Sequence, residues 1–333
     1  MKNRKLGARG PEVSAAGLGC MAMSGTYGPA DEEESVATIR EAVESGIGLL
    51  DTGDFYGRGH NELLLRDALK SVRRDRVFLQ VKFGAMLEPS GRMVGFDARP
   101  ASVKTFLTYS LRRLGTDYVD LYQPARLDPA VPIEETVGAI ADMVKAGYVR
   151  YIGLSEMGAD TIRRANAVHP IAALQIEYSL MTRSVEKEIL PVLRELGIGM
   201  TAYGVLSRGL LAHPGGQDSA NSGIRGRFPR FQGDNLARNL RFVRALDEIA
   251  KRLGMTTARL ACAWALSRGD DIVPLFGARN RMQLRDSLGA LELALSASDI
   301  AEIERAVPVS EVAGGRYDEA SMASLDSERS EVK

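Results

Sequence analysis

The chain has 333 residues, enough for two average domains or one large one, with an ordinary share of apolar (45%) and charged (26%) residues. Its 43 Lys and Arg balance 43 Asp and Glu, so no basic surplus points to nucleic acid or to an anionic membrane. Two distant cysteines, Cys20 and Cys262, lack neighbouring Cys or His; they exclude a CxxC-type metal site and a disulfide framework, and fit a reducing compartment such as the cytoplasm.

The charged first residues lead into no apolar segment of the kind a signal peptide needs, and no apolar run approaches the roughly 20 residues of a membrane span. Leu6-Gly7-Ala8-Arg9-Gly10-Pro11 reads as the turn of an N-terminal hairpin, and residues 13–20 as a buried strand. Asp31 caps a helix to about Glu44, with Glu32, Glu33 and Glu34 at the positive end of its dipole. A strand–helix unit then recurs. Strands are expected at 48–51, 77–82, 118–123, 149–155, 172–177 and 199–205, and helices at about 61–72, 101–114, 133–146, 159–168 and 185–196. The strands are short apolar runs, as in sheets buried on both faces. Residues 207–235 form a long Gly- and Arg-rich loop. Two helices follow, about 235–252 and 257–267, then an eighth strand at 272–276, a helix at 281–288 and an extra helix at about 298–305.

Eight such units in one series predict an α/β fold, a single-domain (β/α)8 TIM barrel over residues 1–312, with a polar tail over 313–333 whose last stretch, 318–333, lies on the surface or frays. A doubly wound sheet needs a Gly-rich phosphate turn. Gly17-x-Gly19-x-x-Ala22 has no acidic partner at the right distance, so the barrel is preferred.

Barrel chemistry sits at strand C-terminal ends, and Asp51, Lys82, Gln123, Ser155, Gln175 and Tyr203 fall there on six different strands. Asp51 and Lys82 close consecutive strands, with Tyr56 in the loop between them. A structural ion pair and a turn tyrosine is the plain reading of these three. Their convergence on one point, with the phenol as proton donor, is the functional one.

Several stretches resemble the aldo-keto reductases over residues 5–308. Gly17-Leu18-Gly19-Cys20-Met21-Ala22-Met23-Ser24 is similar to the family's first-strand motif, and Asp51-Thr52-Gly53-Asp54-Phe55-Tyr56-Gly57 to its Asp/Tyr motif. Lys82 matches the family's lysine. Gly153-Leu154-Ser155-Glu156 and Gln175-Ile176-Glu177-Tyr178 resemble amide-binding stretches. Tyr203-Gly204-Val205-Leu206-Ser207-Arg208-Gly209 resembles a motif that more often has Pro at Val205, and Pro274-Leu275-Phe276-Gly277-Ala278-Arg279 a phosphate-binding stretch.

The resemblance implies reduction of a small-molecule aldehyde or ketone with NADPH. Tyr56 would be the acid, Lys82 the cation that lowers its pKa, and Asp51 the partner that fixes Lys82. Ser155 and Gln175 would hold the carboxamide and Tyr203 would stack on the nicotinamide. Gly19, Cys20, Met21 and residues 204–209 would line the cofactor, with Arg208 and Arg225 clamping the pyrophosphate. Arg279 would take the 2′-phosphate, with Gln283 and Asp286 on the adenine side. The oligomeric state is not declared by any helix face.

The family usually ends its fourth strand with Tyr-Gln-x-His-Arg-x-Asp-Pro; here Tyr122-Gln123-Pro124-Ala125-Arg126-Leu127-Asp128-Pro129 puts Ala125 at the catalytic histidine. His60, His169 and His213 offer no evident replacement; Gln123, Arg126 and Glu156 are nearer in the pattern. Some pyridoxal reductases resemble this short motif, which makes an aromatic aldehyde such as pyridoxal a candidate substrate. The alternative is a catalytically weak NADP(H)-binding regulatory subunit resembling potassium-channel β subunits.

Overall fold

A computed structural model describes residues 2–212 and 223–329. Strands β1 (Asn3–Lys5) and β2 (Glu12–Ser14) form the N-terminal hairpin, with Leu6 N–H donating to Pro11 O across the turn. The expected strand at 13–20 is two strands: Ala15 and Ala16 separate β2 from β3 (Gly17–Gly19), the first barrel strand. Strands β4 (Leu49–Gly53) and β5 (Phe78–Phe83) follow. A small hairpin, β6 (Ala85–Leu87) and β7 (Met93–Phe96), then rises over the barrel mouth; the sequence reading had no element there. The remaining barrel strands are β8 (Val119–Pro124), β9 (Val149–Ser155), β10 (Ile171–Glu177), β11 (Gly199–Tyr203) and β12 (Ile272–Gly277). Eight parallel strands close in sequence order, β12 pairing back onto β3.

Helices fall where the capping signals place them. Asp31 accepts from Glu34 N–H at the start of Glu32–Glu44. Gly115 (φ 66°) and Gly197 (φ 69°) adopt the left-handed conformation that ends Pro100–Leu114 and Ile189–Leu196. The helix expected over 185–196 is instead a short 3-10 turn, Ser184–Glu186, and then Ile189–Leu196. After β11 the described part of the long loop consists of 3-10 turns, before Gly233–Arg252 and Thr257–Leu266.

Although every barrel strand is buried on both faces, its two faces differ. Outward residues such as Leu50, Val81, Tyr122, Leu154, Ile176, Met200 and Phe276 belong to the large core shared with the helices. Inward residues are layered. At the bottom Leu49, Leu121, Ala173 and Val273 pack with Leu6 and Val13 of the hairpin, which plugs the barrel. One step up, two residues on along each strand, come Asp51, Gln80, Gln123, Gln175 and Thr201. Gln80 Nε2 lies 3.2 Å from both Asp51 Oδ1 and Thr201 Oγ1.

The tail does not lie loose. After helix Ala297–Ala306 the chain crosses the mouth and buries Arg316, Leu325 and Asp326. Asp326 Oδ2 accepts from Gly158 N–H at 2.8 Å, and Ser327 N–H donates to Glu156 O at 3.2 Å, so the segment is tied to the end of β9. Of the two expectations for 318–333, lying on the surface or fraying, the described residues 318–329 do not fray, because a polar segment can be held by buried ion pairs that a hydropathy pattern does not register.

Candidate active site

Asp51 and Lys82 meet as expected. The register pairs Gly53 with Lys82, and the inward direction of both strands brings Lys82 Nζ within 2.5 Å of Asp51 Oδ1. The pair is almost wholly buried, 4% and 5% exposed. A buried ion pair persists only where its remaining lone pairs are satisfied; here the same Asp51 oxygen also accepts from Gln175 Nε2 at 2.7 Å and Gln80 Nε2 at 3.2 Å.

Tyr56 stands above this pair, with Lys82 Nζ 5.1 Å from its ring centroid and Phe55 edge-on at 4.8 Å. Its loop turns through Gly57 (φ 56°) and Arg58 (φ 58°) into the helix His60–Leu69. Burial, reinforced by the charge of Asp51, pushes the Tyr56 phenol well above its ordinary value. That corrects the expected lowering by Lys82: burial also pulls the ammonium's pKa down, and Asp51 only partly offsets it. The phenol is therefore held protonated, the form a donor needs.

All three line one cavity of about 1510 Å³. Drug-sized sites run to roughly 1,000 Å³, so this cavity has room for an extended cofactor and a substrate together. From the Asp51 floor it runs past Ser155 and Tyr203 to Gly277, Arg279, Gln283 and Asp286. Ser155 Oγ is buried without a hydrogen-bond partner among the described residues. Such a group costs free energy unless a ligand satisfies it. Gly277 faces open space: a Cβ there would meet nothing within 4 Å. Arg279 forms no ion pair among the described residues; its backbone N–H donates to Gln283 Oε1 at 2.9 Å. The charge of Arg279 reaches the neighbouring Arg225, whose pKa is lowered by burial first and then by Arg279. An uncancelled basic end, an open glycine and an orphaned hydroxyl fit a phosphate-bearing nicotinamide cofactor.

Other expected cofactor contacts sort into two groups. Gly19, Met21, Gly204, Val205, Leu206 and Gly209 line the cavity. Cys20 and Ser207 do not: Cys20 is fully buried with its thiol toward Leu18 O, and Ser207 Oγ lies 3.1 Å from Ser179 Oγ. Asp286 borders the cavity but is also tied to Thr256 Oγ1 (2.7 Å) and Arg259 (3.1 Å). Arg208 touches the cavity, yet its guanidinium turns inward, 2.8 Å from Glu177 Oε2 and 4.3 Å above the Tyr317 ring, so its charge is neutralised by protein. Arg225 Nε donates to Arg208 O at 2.6 Å. Gln123 is buried, with neither amide atom partnered among the described residues, and is not among the residues that line the cavity.

The mouth holds a network that sequence reasoning missed. Glu156 (φ 55°) accepts from Arg316 at 2.5 and 2.8 Å and from the Tyr203 and Ser327 hydroxyls at 2.7 and 2.6 Å. Burial alone would raise its pKa, but Arg316 and Arg126 hold it well below the usual carboxylate range. Tyr203 Oη is also 2.9 Å from Tyr317 Oη. The one available signal was Tyr317, the only aromatic residue after Phe276 and adjacent to an arginine in an otherwise polar tail. Of the histidines, His60 binds Ser24 Oγ at 3.0 Å, His169 points to Pro170 O on the surface, and His213 lies outside the described residues.

A closed parallel barrel with a buried Asp–Lys pair and a tyrosine at its mouth defines a carbonyl-handling oxidoreductase. The chain belongs to the aldo/keto reductase family, whose model matches residues 15–308. It is similar to probable aldo-keto reductase 1 of Glycine max, 44% identical over 316 residues that cover 94% of this chain and 91% of that protein. Among solved structures it resembles the glycerol dehydrogenase of Gluconobacter oxydans, with TM-score 0.81 and 27% identity over 91% of this chain and 94% of the other. It also resembles a thermostable aldo-keto reductase in complex with the inhibitor epalrestat, with TM-score 0.73 and 29% identity over 92% and 100% of the two chains. Among the described residues no helix is long and apolar enough to cross a membrane, and no cluster of three potential metal ligands occurs.

Proposed function

We propose that the protein reduces an aldehyde or ketone to an alcohol with NADPH, with Tyr56 as the proton donor. The observation that carries this reading is the buried Asp51–Lys82 pair beneath Tyr56, at one end of a cavity whose other end is the basic Arg279. Bound reduced nicotinamide supplies the hydride. Ser155 Oγ and Gln175 orient the carboxamide, Gln175 being itself fixed by its bond to Asp51. Gly277 lets the backbone approach the ligand closely, and Arg279 pairs with the 2′-phosphate. Tyr56 Oη gives its proton to the carbonyl oxygen as negative charge grows there, with Lys82 close enough to stabilise the phenolate that remains. Phe55, Leu87 and Met93 give the substrate end apolar walls, which suit an aromatic aldehyde such as pyridoxal. A reducing compartment such as the cytoplasm suits the two buried free thiols.

The test is NADPH oxidation, followed by absorbance, against a panel of aldehydes and ketones that includes pyridoxal and 4-nitrobenzaldehyde. Turnover on at least one aldehyde is expected. Tight NADPH binding with no turnover on any carbonyl would instead favour a regulatory subunit.

A further inference from the structure

We propose that Arg126 supplies the second oxyanion donor that this chain lacks at Ala125, and that Tyr317 from the C-terminal tail holds it there. The inference rests on the reductase reading and assigns a role that reading leaves empty.

β8 ends beside β5, pairing Lys82 with Gln123 and Phe83 with Pro124, and Lys82 lies beneath Tyr56. Ala125 N–H donates to Phe83 O at 2.8 Å, so residue 125 is tied to the strand end just past Lys82, and its methyl group is nearly buried. Arg126 follows, and its guanidinium folds back over the residue before it: Nη1 donates to Ala125 O at 2.5 Å. Nη2 donates to Tyr317 Oη at 3.1 Å. Arg126 lines the same cavity as Tyr56 and Lys82.

Its charge is felt by Glu156 and Tyr317 but is not spent in a direct ion pair among the described residues. Arg208 and Arg316, the other arginines around Tyr317, are each spent on a buried carboxylate, Glu177 at 2.8 Å and Glu156 at 2.5 Å. Arg126 forms no such pair among the described residues; its partners are a carbonyl and a phenol. Its field reaches the reacting groups. It draws the Tyr56 phenol down against burial and Asp51, and adds to burial in disfavouring charge on Lys82.

The chemistry follows. As the hydride reaches the carbonyl carbon, the π pair of the C=O bond moves onto oxygen. The Tyr56 hydroxyl gives its proton to that oxygen, forming the new O–H bond and leaving a phenolate that solvent reprotonates. Arg126 exchanges no proton; an N–H not used by Ala125 or Tyr317 stabilises the oxygen while its charge grows. A guanidinium stays charged throughout the accessible pH range, so it can do this where alanine cannot.

The experiment compares wild type, Arg126→Leu, Arg126→Lys and Tyr317→Phe, each saturated with NADPH, on the best aldehyde of the panel. Removing one oxyanion donor typically costs 10²–10³ in kcat. Arg126→Leu is therefore expected to lose about 10²-fold in kcat, with KM and NADPH affinity near wild type and partial recovery on adding guanidinium at low millimolar concentration. Arg126→Lys should fall between the two, and Tyr317→Phe should lose less than Arg126→Leu, because the guanidinium loses its anchor and keeps its charge. Should Arg126→Leu misfold, Arg126→Lys and Tyr317→Phe carry the comparison. A kcat for Arg126→Leu within twofold of wild type, or a loss confined to KM, overturns the inference and leaves the reductase reading standing. A wild type that turns over no carbonyl overturns both.

Discussion

The floor of the cavity and its rim are both networks of buried charge, but they are assembled differently. The floor comes from neighbouring strands: Asp51 on β4 and Lys82 on β5, with Gln175 joining from β10. The rim joins residues far apart in the chain. Glu156 at the end of β9 is clamped by Arg316, Glu177 at the end of β10 by Arg208, and Tyr317 lies among Arg126, Arg208 and Arg316. A floor made by the barrel ladder is as rigid as the barrel. A rim made by a tail exists only while the tail is docked, so the two should respond differently to mutation.

The largest separation should come from Tyr56→Phe. General acid catalysis is worth roughly 10²–10⁴ in rate, so kcat is expected to fall by about 10³ while NADPH affinity and thermal stability hold; unchanged turnover would remove the floor from the chemistry. Next is Arg316→Met, which leaves Glu156 buried without its main partner. Breaking a buried pair from one side costs about 3–5 kcal/mol. Equilibrium denaturation should show that loss, and limited proteolysis should cut the tail before the barrel.

Asp54 beside the floor gives a pH test. Burial, with the nearby Glu62 charge, pushes its carboxyl up to about 7 from the ordinary 3.8, against the Gly84 N–H and the pull of Arg113. The folded state thus holds a proton that the unfolded state has released. This stabilisation is full below the unfolded value and is lost as pH rises through about 7. Glu62, itself raised by burial, and Tyr122 and Arg113 share this pocket. Asp54→Asn should therefore gain on wild type at alkaline pH by an amount on the order of 2–4 kcal/mol, seen as a flatter melting temperature between about pH 5 and pH 8; parallel curves would reject the assignment. The smallest effect is expected at Arg279. Arg279→Ser should weaken NADPH about tenfold, the scale of one exposed charge-assisted contact, and leave NADH unchanged in fluorescence titration. An equal loss for both would place Arg279 away from the 2′-phosphate.

Legibility followed the same divide. Asp51, Lys82, Ser155, Gln175 and Tyr203 could be picked out because each closes a short apolar run, and the ends of parallel barrel strands share one face. Arg208 was legible as a charge but not as a direction: the turn at Ser207 (φ 47°) and Arg208 (φ 58°) swings it onto Glu177. The hairpin at Ala85–Leu87 and Met93–Phe96 was missed because its strands are too short and exposed for either period.

By itself the amino-acid sequence determined the barrel, the order of its strands and the set of groups at their ends. Those follow from local hydrophobic runs, caps and glycines, which act over a few residues. Only the tertiary structure decided which charges are spent in direct ion pairs: Arg208 and Arg316 are spent on Glu177 and Glu156, while Arg126 lines the cavity and donates to Ala125 O. That choice depends on which carboxylate a guanidinium can reach once the tail has crossed the mouth, and pairs separated by 160 residues in the chain leave no period to read.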